Sequence, residues 1–276
     1  MKNKREIGII LLARMSSTRL PGKVLLPVCG KTILEHITNR LGKVKPCDRL
    51  IIATTTNPAD DAIESLCRGM NTACFRGSEN NVLARCIKAS EAYGLDYIIR
   101  IGADTPFIDW NVINDMLDIF FSDKYEGTGL EYMSNNIDRS FPLGLDAEIF
   151  AKNTFCRIDA ETRKLSPEER VLNEINVVPY LHQNLDKFKH VVYTKDFDHS
   201  HLRWTLDTPE DYELVKRVYE AIYPKNHDFL MDDILQLIKD NPDLATVNSH
   251  IRPRSGYWTA QETEKLKKRI GEGKLP

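Results

Sequence analysis

The sequence predicts an α/β fold, a doubly wound and mostly parallel sheet, on three observations. Short apolar runs alternate with stretches of helical spacing about every 25 residues, the rhythm of strand–helix–strand units. The first run, Ile7–Ala13, is continuously apolar, as in a strand buried on both faces of a parallel sheet. The length, 276 residues, suits one large domain with a modest appendage.

The elements follow in order. After the polar stretch 14–31, apolar residues at helical spacing mark a helix over Thr32–Leu41. Leu50–Thr54 reads as a second strand and Ala59–Met70 as a helix, then Thr72–Phe75 as a strand and Asn80–Tyr93 as a helix. Tyr97–Ile101 is a fourth strand, followed by a helix over Asp109–Phe121. Beyond Gly127 the rhythm loosens. Strands are expected at Tyr132–Asn135, Leu145–Phe150, His190–Thr194 and His201–Leu206, with a helix over Ser166–Gln183 disturbed by Pro179. Thr208-Pro209-Glu210-Asp211 is a helix start, with Thr208 as N-cap, Pro209 first in the helix and Asp211 closing a capping box. A later helix covers Leu230–Lys239, and a charged tail begins near Ser255. The expected organisation is a main domain over 1–225, with 127–200 as its acceptor and pairing region, then a helical C-terminal extension over 226–276.

A formal charge of −2 gives no bias toward nucleic acid or an anionic membrane. The six cysteines form no CxxC pair, which fits neither a zinc knuckle nor a secreted disulfide framework. No apolar run is long enough to span a bilayer, and no signal-type core is present. A soluble, cytoplasmic chain is expected.

Positive charge is local. Arg14, Arg19, Lys23 and Lys31 follow the first strand with no acid before Glu35, among Ser16, Ser17, Thr18 and Gly22. Four cations and several hydroxyls at a strand's carboxyl end can surround a triphosphate, though a solvated basic loop has the same composition. Neither GxxxxGK[ST] nor GxGxxG is present. Asp104 and Asp207 each follow an expected strand, so both project toward the same cleft. One or two carboxylates with phosphate oxygens and water are the usual Mg²⁺ ligands. A turn residue before Thr105-Pro106 and a helix-start carboxylate are the plain alternatives.

Leu12-Ala13-Arg14-Met15-Ser16-Ser17-Thr18-Arg19-Leu20-Pro21-Gly22-Lys23-Val24-Leu25 resembles the signature of the cytidylyltransferases that make CMP-activated acidic sugars, the CMP-Kdo and CMP-sialic acid synthetases. The resemblance is closer to their SpsF-type relatives of spore-coat polysaccharide biosynthesis. Ala53–Pro58, Phe75–Asn80, Phe141-Pro142-x-Gly144-Leu145-Asp146 and His201–Asp211 carry it further, in order. It implies a Rossmann-like, GT-A-like nucleotidyltransferase fold and transfer of CMP from CTP to an acidic sugar or other anionic acceptor. It further implies release of pyrophosphate, Mg²⁺ as the cofactor and pairing as a homodimer. By the same resemblance Leu12, Ala13, Arg14, Ser17, Arg19, Lys23, Thr54, Arg76, Ser78 and Asp104 bind the nucleotide. Asp104 and Asp207 hold the metal, and with Arg14 and Lys23 they form the catalytic set.

Arg139, Asp146 and Glu148 are the acceptor candidates, since strand alternation puts the two acids on one face, as it also would on an exposed edge strand. Glu174–Tyr180 departs from the Glu-His-Val-Thr-Pro-Tyr pattern of SpsF-type relatives, with Asn176 at the histidine position. His199 and His201 lack a third ligand for zinc, and Cys29 and Trp204 are expected to pack. Two other readings stay open. A GT-A glycosyltransferase ordinarily uses a DxD motif, whereas Asp104 is followed by Thr105-Pro106; a non-catalytic nucleotide-binding regulator would have no turnover.

Overall fold

A computed structural model describes residues 5–251, so the expected tail from Ser255 lies outside them. Seven strands form one sheet: β1 (Ile7–Leu12), β4 (Arg49–Thr55), β5 (Ala73–Gly77), β6 (Tyr97–Gly102), β7 (Tyr132–Ser134), β8 (Glu148–Ala151) and β9 (His190–Val192). Two short strands, β2 (Pro27–Val28) and β3 (Lys31–Thr32), pair separately. The order across the sheet is β5-β4-β1-β6-β8-β7-β9. The first four strands are mutually parallel, whereas β8 runs antiparallel to both β6 and β7. The expected doubly wound, mostly parallel sheet is present.

β1 is buried on both faces, and the alternation of side chains sorts its residues into two cores. Ile9 and Leu11 join Ile99 and Ile101 on one face, beneath α1 (Ile33–Leu41), α4 (Trp110–Phe120) and α8 (Pro209–Ile222). Ile10 joins Ile51 and Ile98 on the other, beneath α3 (Val82–Ala92), α5 (Lys152–Thr162) and α7 (Pro179–Gln183). Local signals set the helix ends. Thr32 and Glu35 close a capping box on α1, and Thr208 and Asp211 close one on α8 behind Pro209. The remaining helices are α2 (Asp61–Gly69), α6 (Pro167–Ile175) and α9 (Met231–Asp240), whose Met231 and Ile234 enter the first core. Among the described residues no helix is long and apolar enough to cross a membrane.

Four expectations change. The Leu145–Phe150 strand starts only at Glu148, because the Asn135 side chain takes Leu145 O (2.8 Å) and Ala147 N (2.9 Å), removing them from the ladder. His201–Leu206 makes a single bridge, Leu143 to Arg203, because the Leu206 N–H is spent on Asp104 O at 2.8 Å. The helix over Ser166–Gln183 is two helices, broken where Asn176 turns extended, because Pro179 has no N–H to bond back and its ring crowds the preceding turn. α5 is an addition that starts without a side-chain cap, so its sequence carried no start signal.

Gly144 fixes how the 141–146 turn meets the segment that carries Asp207. Its φ is +112°, and a Cβ there would stand 2.6 Å from Thr205 N and 2.7 Å from Trp204 O. These are backbone atoms of the Trp204–Thr205 peptide and cannot yield, so only glycine fits.

Candidate active site

The basic loop is fastened from outside itself. Asp60, 1% exposed, accepts from Met15 N at 2.8 Å and from Thr55 N at 3.1 Å. Glu79 accepts from Ser16 Oγ (2.6 Å) and Asn57 Nδ2 (2.9 Å), and those hydrogen bonds hold its carboxyl below the usual range. These two acids tie the loop to the ends of β4 and β5. Sequence reading missed Asp60, whose only local signal was its place at the start of α2.

The two candidate metal carboxylates, 103 positions apart, are stitched together by backbone. Asp104 O accepts from Leu206 N (2.8 Å) and from Thr205 Oγ1 (3.0 Å). Lys23 Nζ stands between the pair, 2.9 Å from Asp207 Oδ1, 3.5 Å from Asp104 Oδ2 and 2.8 Å from Leu206 O. Arg19 reaches Asp207 Oδ2 at 2.9 Å, and Arg203 reaches it at 3.4 Å while gripping Asp211 with two bonds of 2.7 and 2.8 Å. Burial pushes the Asp207 carboxyl up, but Lys23, Arg19 and Arg203 together hold it below the ordinary aspartate value. It is ionised at neutral pH. The carboxylates remain 41% (Asp104) and 19% (Asp207) exposed, so both can meet a ligand. Gly102 makes room for Asp104, since a Cβ there would collide with Asp104 Oδ1.

Two cavities open on this pair. The first, about 350 Å³, is lined by Leu12, Ala13, Arg14, Ser17, Arg19 and Lys23 from the basic loop, with Arg85, Arg100, Asp104 and Asp207. Five cationic side chains face two carboxylates there, a balance suited to a polyanion. The second, about 240 Å³, is lined by Arg139, Asp146, Glu148, His182 and Arg203. Arg100, Gly102, Asp104, Asn176 and Asp207 belong to both, so the acidic pair stands in the dividing wall. The position where the sequence departs from the SpsF-type histidine is thus a cavity position.

The structure brings the expected Leu12, Ala13, Arg14, Ser17, Arg19, Lys23, Asp104 and Asp207 to one cavity; it does not bring Thr54, Arg76 or Ser78 there. Thr54 is buried inside the sheet. Arg76 spends its guanidinium on Thr55 O, Asn57 O, Asp61 and Glu64, at 2.6 to 3.1 Å. Ser78 Oγ accepts from Asn81 N at the start of α3. All three acceptor candidates line the second cavity, Arg139 and Asp146 as an ion pair. Glu148, 2% exposed, is taken by Arg100 and by the Tyr132 hydroxyl at 2.7 Å.

Arg100 was not foreseen. In Tyr97–Ile101 it reads as the polar residue of an alternating strand, yet it sits opposite Glu148 in the β6–β8 register. The network continues through Tyr132 to His182 Nε2 at 2.7 Å. Because the Tyr132 hydroxyl donates to Glu148, His182 Nε2–H is the donor to Tyr132. Burial, with Arg100 and His190 adding to it, lowers the His182 pKa to about 3, so the ring is neutral. Among the described residues no three His, Cys, Asp or Glu side chains gather as a metal cluster, His199 and His201 included. Cys29 packs against the core and Trp204 is buried in it.

Residues 8–234 match the family model described as cytidylyltransferase. The spore coat polysaccharide biosynthesis protein SpsF of Bacillus subtilis is 32% identical over 245 residues, covering 87% of this chain and 97% of that one. A solved cytidylyltransferase from Leptospira borgpetersenii superposes with a TM-score of 0.80 at 33% identity, covering 88% of this chain and 97% of that chain. A 3-deoxy-manno-octulosonate cytidylyltransferase of Syntrophobacter fumaroxidans is 31% identical over 127 residues, 44% of this chain and 48% of that protein.

Proposed function

The chain belongs to the cytidylyltransferase family, and from that premise we propose that it transfers CMP from CTP to a sugar acid, with Mg²⁺, releasing pyrophosphate. The observation that carries the reading is the acidic pair Asp104–Asp207 in the wall between a cation-rich cavity and a second, mixed-charge cavity. The nucleoside triphosphate occupies the first, its phosphates among Arg14, Arg19 and Lys23. The acceptor occupies the second, beside Arg139, Asp146 and the Arg100–Glu148 pair. The sugar acid is supported by the relative that activates 3-deoxy-manno-octulosonate.

The residues fit Mg²⁺ by their chemistry. Two oxygen-bearing carboxylates reach one point, marked by the Lys23 ammonium, and leave the remaining positions to phosphate and water. Asp104 and Asp207 would hold the ion, which when bound would supply charge neutralisation to the phosphates and a lower pKa for the attacking hydroxyl. The protein does the rest by placement. The shared wall is where the acceptor hydroxyl of one cavity and the phosphates of the other meet, and Arg14 and Lys23 take up charge on the departing pyrophosphate. Arg19 and Arg203 keep Asp207 ionised and oriented. Pairing of two chains through 127–200 and a cytoplasmic location belong to the same reading, the latter supported by six free thiols.

Pyrophosphate release tests this, measured with each of the four NTPs, Mg²⁺ and a panel of sugar acids. Release is expected with CTP above the other three and only when a sugar acid is present. Tight nucleotide binding with no release under any pairing would instead favour a regulator.

A further inference from the structure

Three arginines are buried among the described residues, and two have evident protein partners. Arg203 is neutralised by the fully buried Asp211 through two hydrogen bonds. Arg40 donates to Ile108 O at 2.7 Å and Phe107 O at 3.3 Å and lies against the Trp110 and Phe229 rings at 5.2 and 4.7 Å. Arg85, only 3% exposed, differs. It makes one hydrogen bond, from Nη1 to Ser78 O at 2.6 Å, and its Nε has no partner among the described residues. No carboxylate stands within ion-pair distance of it there, and Asp60 and Glu79 act on it only from farther off. Yet it lines the first cavity together with Arg14, which likewise makes no ion pair among the described residues.

A guanidinium cannot escape burial by losing its proton. An uncompensated buried charge is strongly unfavourable, and a carbonyl dipole offsets little of it. We propose, on the reading given above, that Arg85 is a phosphate-binding residue of the nucleotide cavity, whose missing counter-charge is the phosphate chain itself. The choice of phosphate over base follows from the charge. A cytosine ring offers only dipoles, whereas the phosphates offer full negative charges to Arg85 and Arg14 together. α3 therefore supplies a second tier of cation behind the loop, and the free protein holds a destabilising charge that ligand relieves.

The test is calorimetric titration of the full chain and of Arg85→Met with CTP plus Mg²⁺, tripolyphosphate and cytidine, alongside thermal melts without ligand. Arg85→Met is expected to weaken CTP and tripolyphosphate about tenfold to a hundredfold, to leave cytidine unchanged and to raise the ligand-free melting midpoint. Arg85→Gln, which keeps a donor for Ser78 O, gives the same loss. Unchanged CTP affinity with a lowered midpoint would assign Arg85 to holding Ser78 alone. An equal loss for cytidine would place it on the base and overturn the phosphate assignment. Loss of tripolyphosphate binding in a protein with no preference for CTP upholds Arg85 and removes the cytidylyl reading. A wild-type chain that binds none of the phosphates overturns both.

Discussion

Asp207→Asn is expected to lower turnover about 10³-fold while the fold persists, the scale of one charge-stabilising group lost from a preorganised site. The substitution keeps the shape and one oxygen but removes the negative charge that Lys23 and Arg19 meet at 2.9 Å. Three consequences follow together. One of the two candidate metal carboxylates is gone, Lys23 retains Leu206 O at 2.8 Å and Asp104 at 3.5 Å, and Arg203 retains Asp211. Because Arg203–Asp211 is the buried pair, its survival preserves the packing of α8 against the 201–207 segment. The fall should therefore appear in kcat under saturating CTP, with a small shift in the melting midpoint. Steady-state kinetics and thermal denaturation of the same sample separate the two effects. Unchanged turnover in a folded variant would remove Asp207 from the site.

Lys23→Met is expected to cut turnover by about 10² to 10³, and to do so with an opposite effect on bare metal. In the ligand-free protein the ammonium occupies the point both carboxylates reach, so it competes with a divalent ion there. Removing it leaves two carboxylates facing one another without a cation between them, which favours a divalent ion. Turnover is nevertheless expected to fall, because in the proposed function Lys23 is the compact charge that meets the leaving pyrophosphate. Lys23→Arg does not restore it fully, since a planar fork cannot sit where a point charge meets two acids and Leu206 O. Mn²⁺ titration followed by paramagnetic resonance, without nucleotide, should show tighter binding in Lys23→Met than in wild type. Weaker Mn²⁺ binding would mean that Lys23 organises the acids rather than standing in for the metal.

Much of the fold was legible because its signals are local. A continuous apolar run makes β1, and the Thr208-Pro209-Glu210-Asp211 start makes the end of α8. Two of the misread strands are those where a group outside the strand takes over its backbone atoms. Asn135 captures Leu145 O and Ala147 N across a loop, a contact that apolar periodicity does not encode, and Asp104 O captures Leu206 N from a segment 102 positions away. The site divides the same way. The basic loop and the two acids carried a pattern and a strand-end position. Arg85 and Arg100 instead resemble solvent-facing residues of a helix and a strand. Only the register opposite Glu148, and the side of the sheet that α3 covers, turn them inward. The Arg76 case is the converse, an arginine in a resembling motif whose donors are spent on Thr55 O, Asn57 O and two acids.

The central claim is that the loop Leu12–Leu25 and the pair Asp104–Asp207 form one triphosphate and metal site. A crystal structure with Mg²⁺ and a non-hydrolysable CTP analogue tests it most directly. The account predicts one divalent ion touching both carboxylates and the α-phosphate, with Lys23 moved onto the phosphates beside Arg14. Phosphates bound elsewhere, or a metal that touches neither Asp104 nor Asp207, would contradict it.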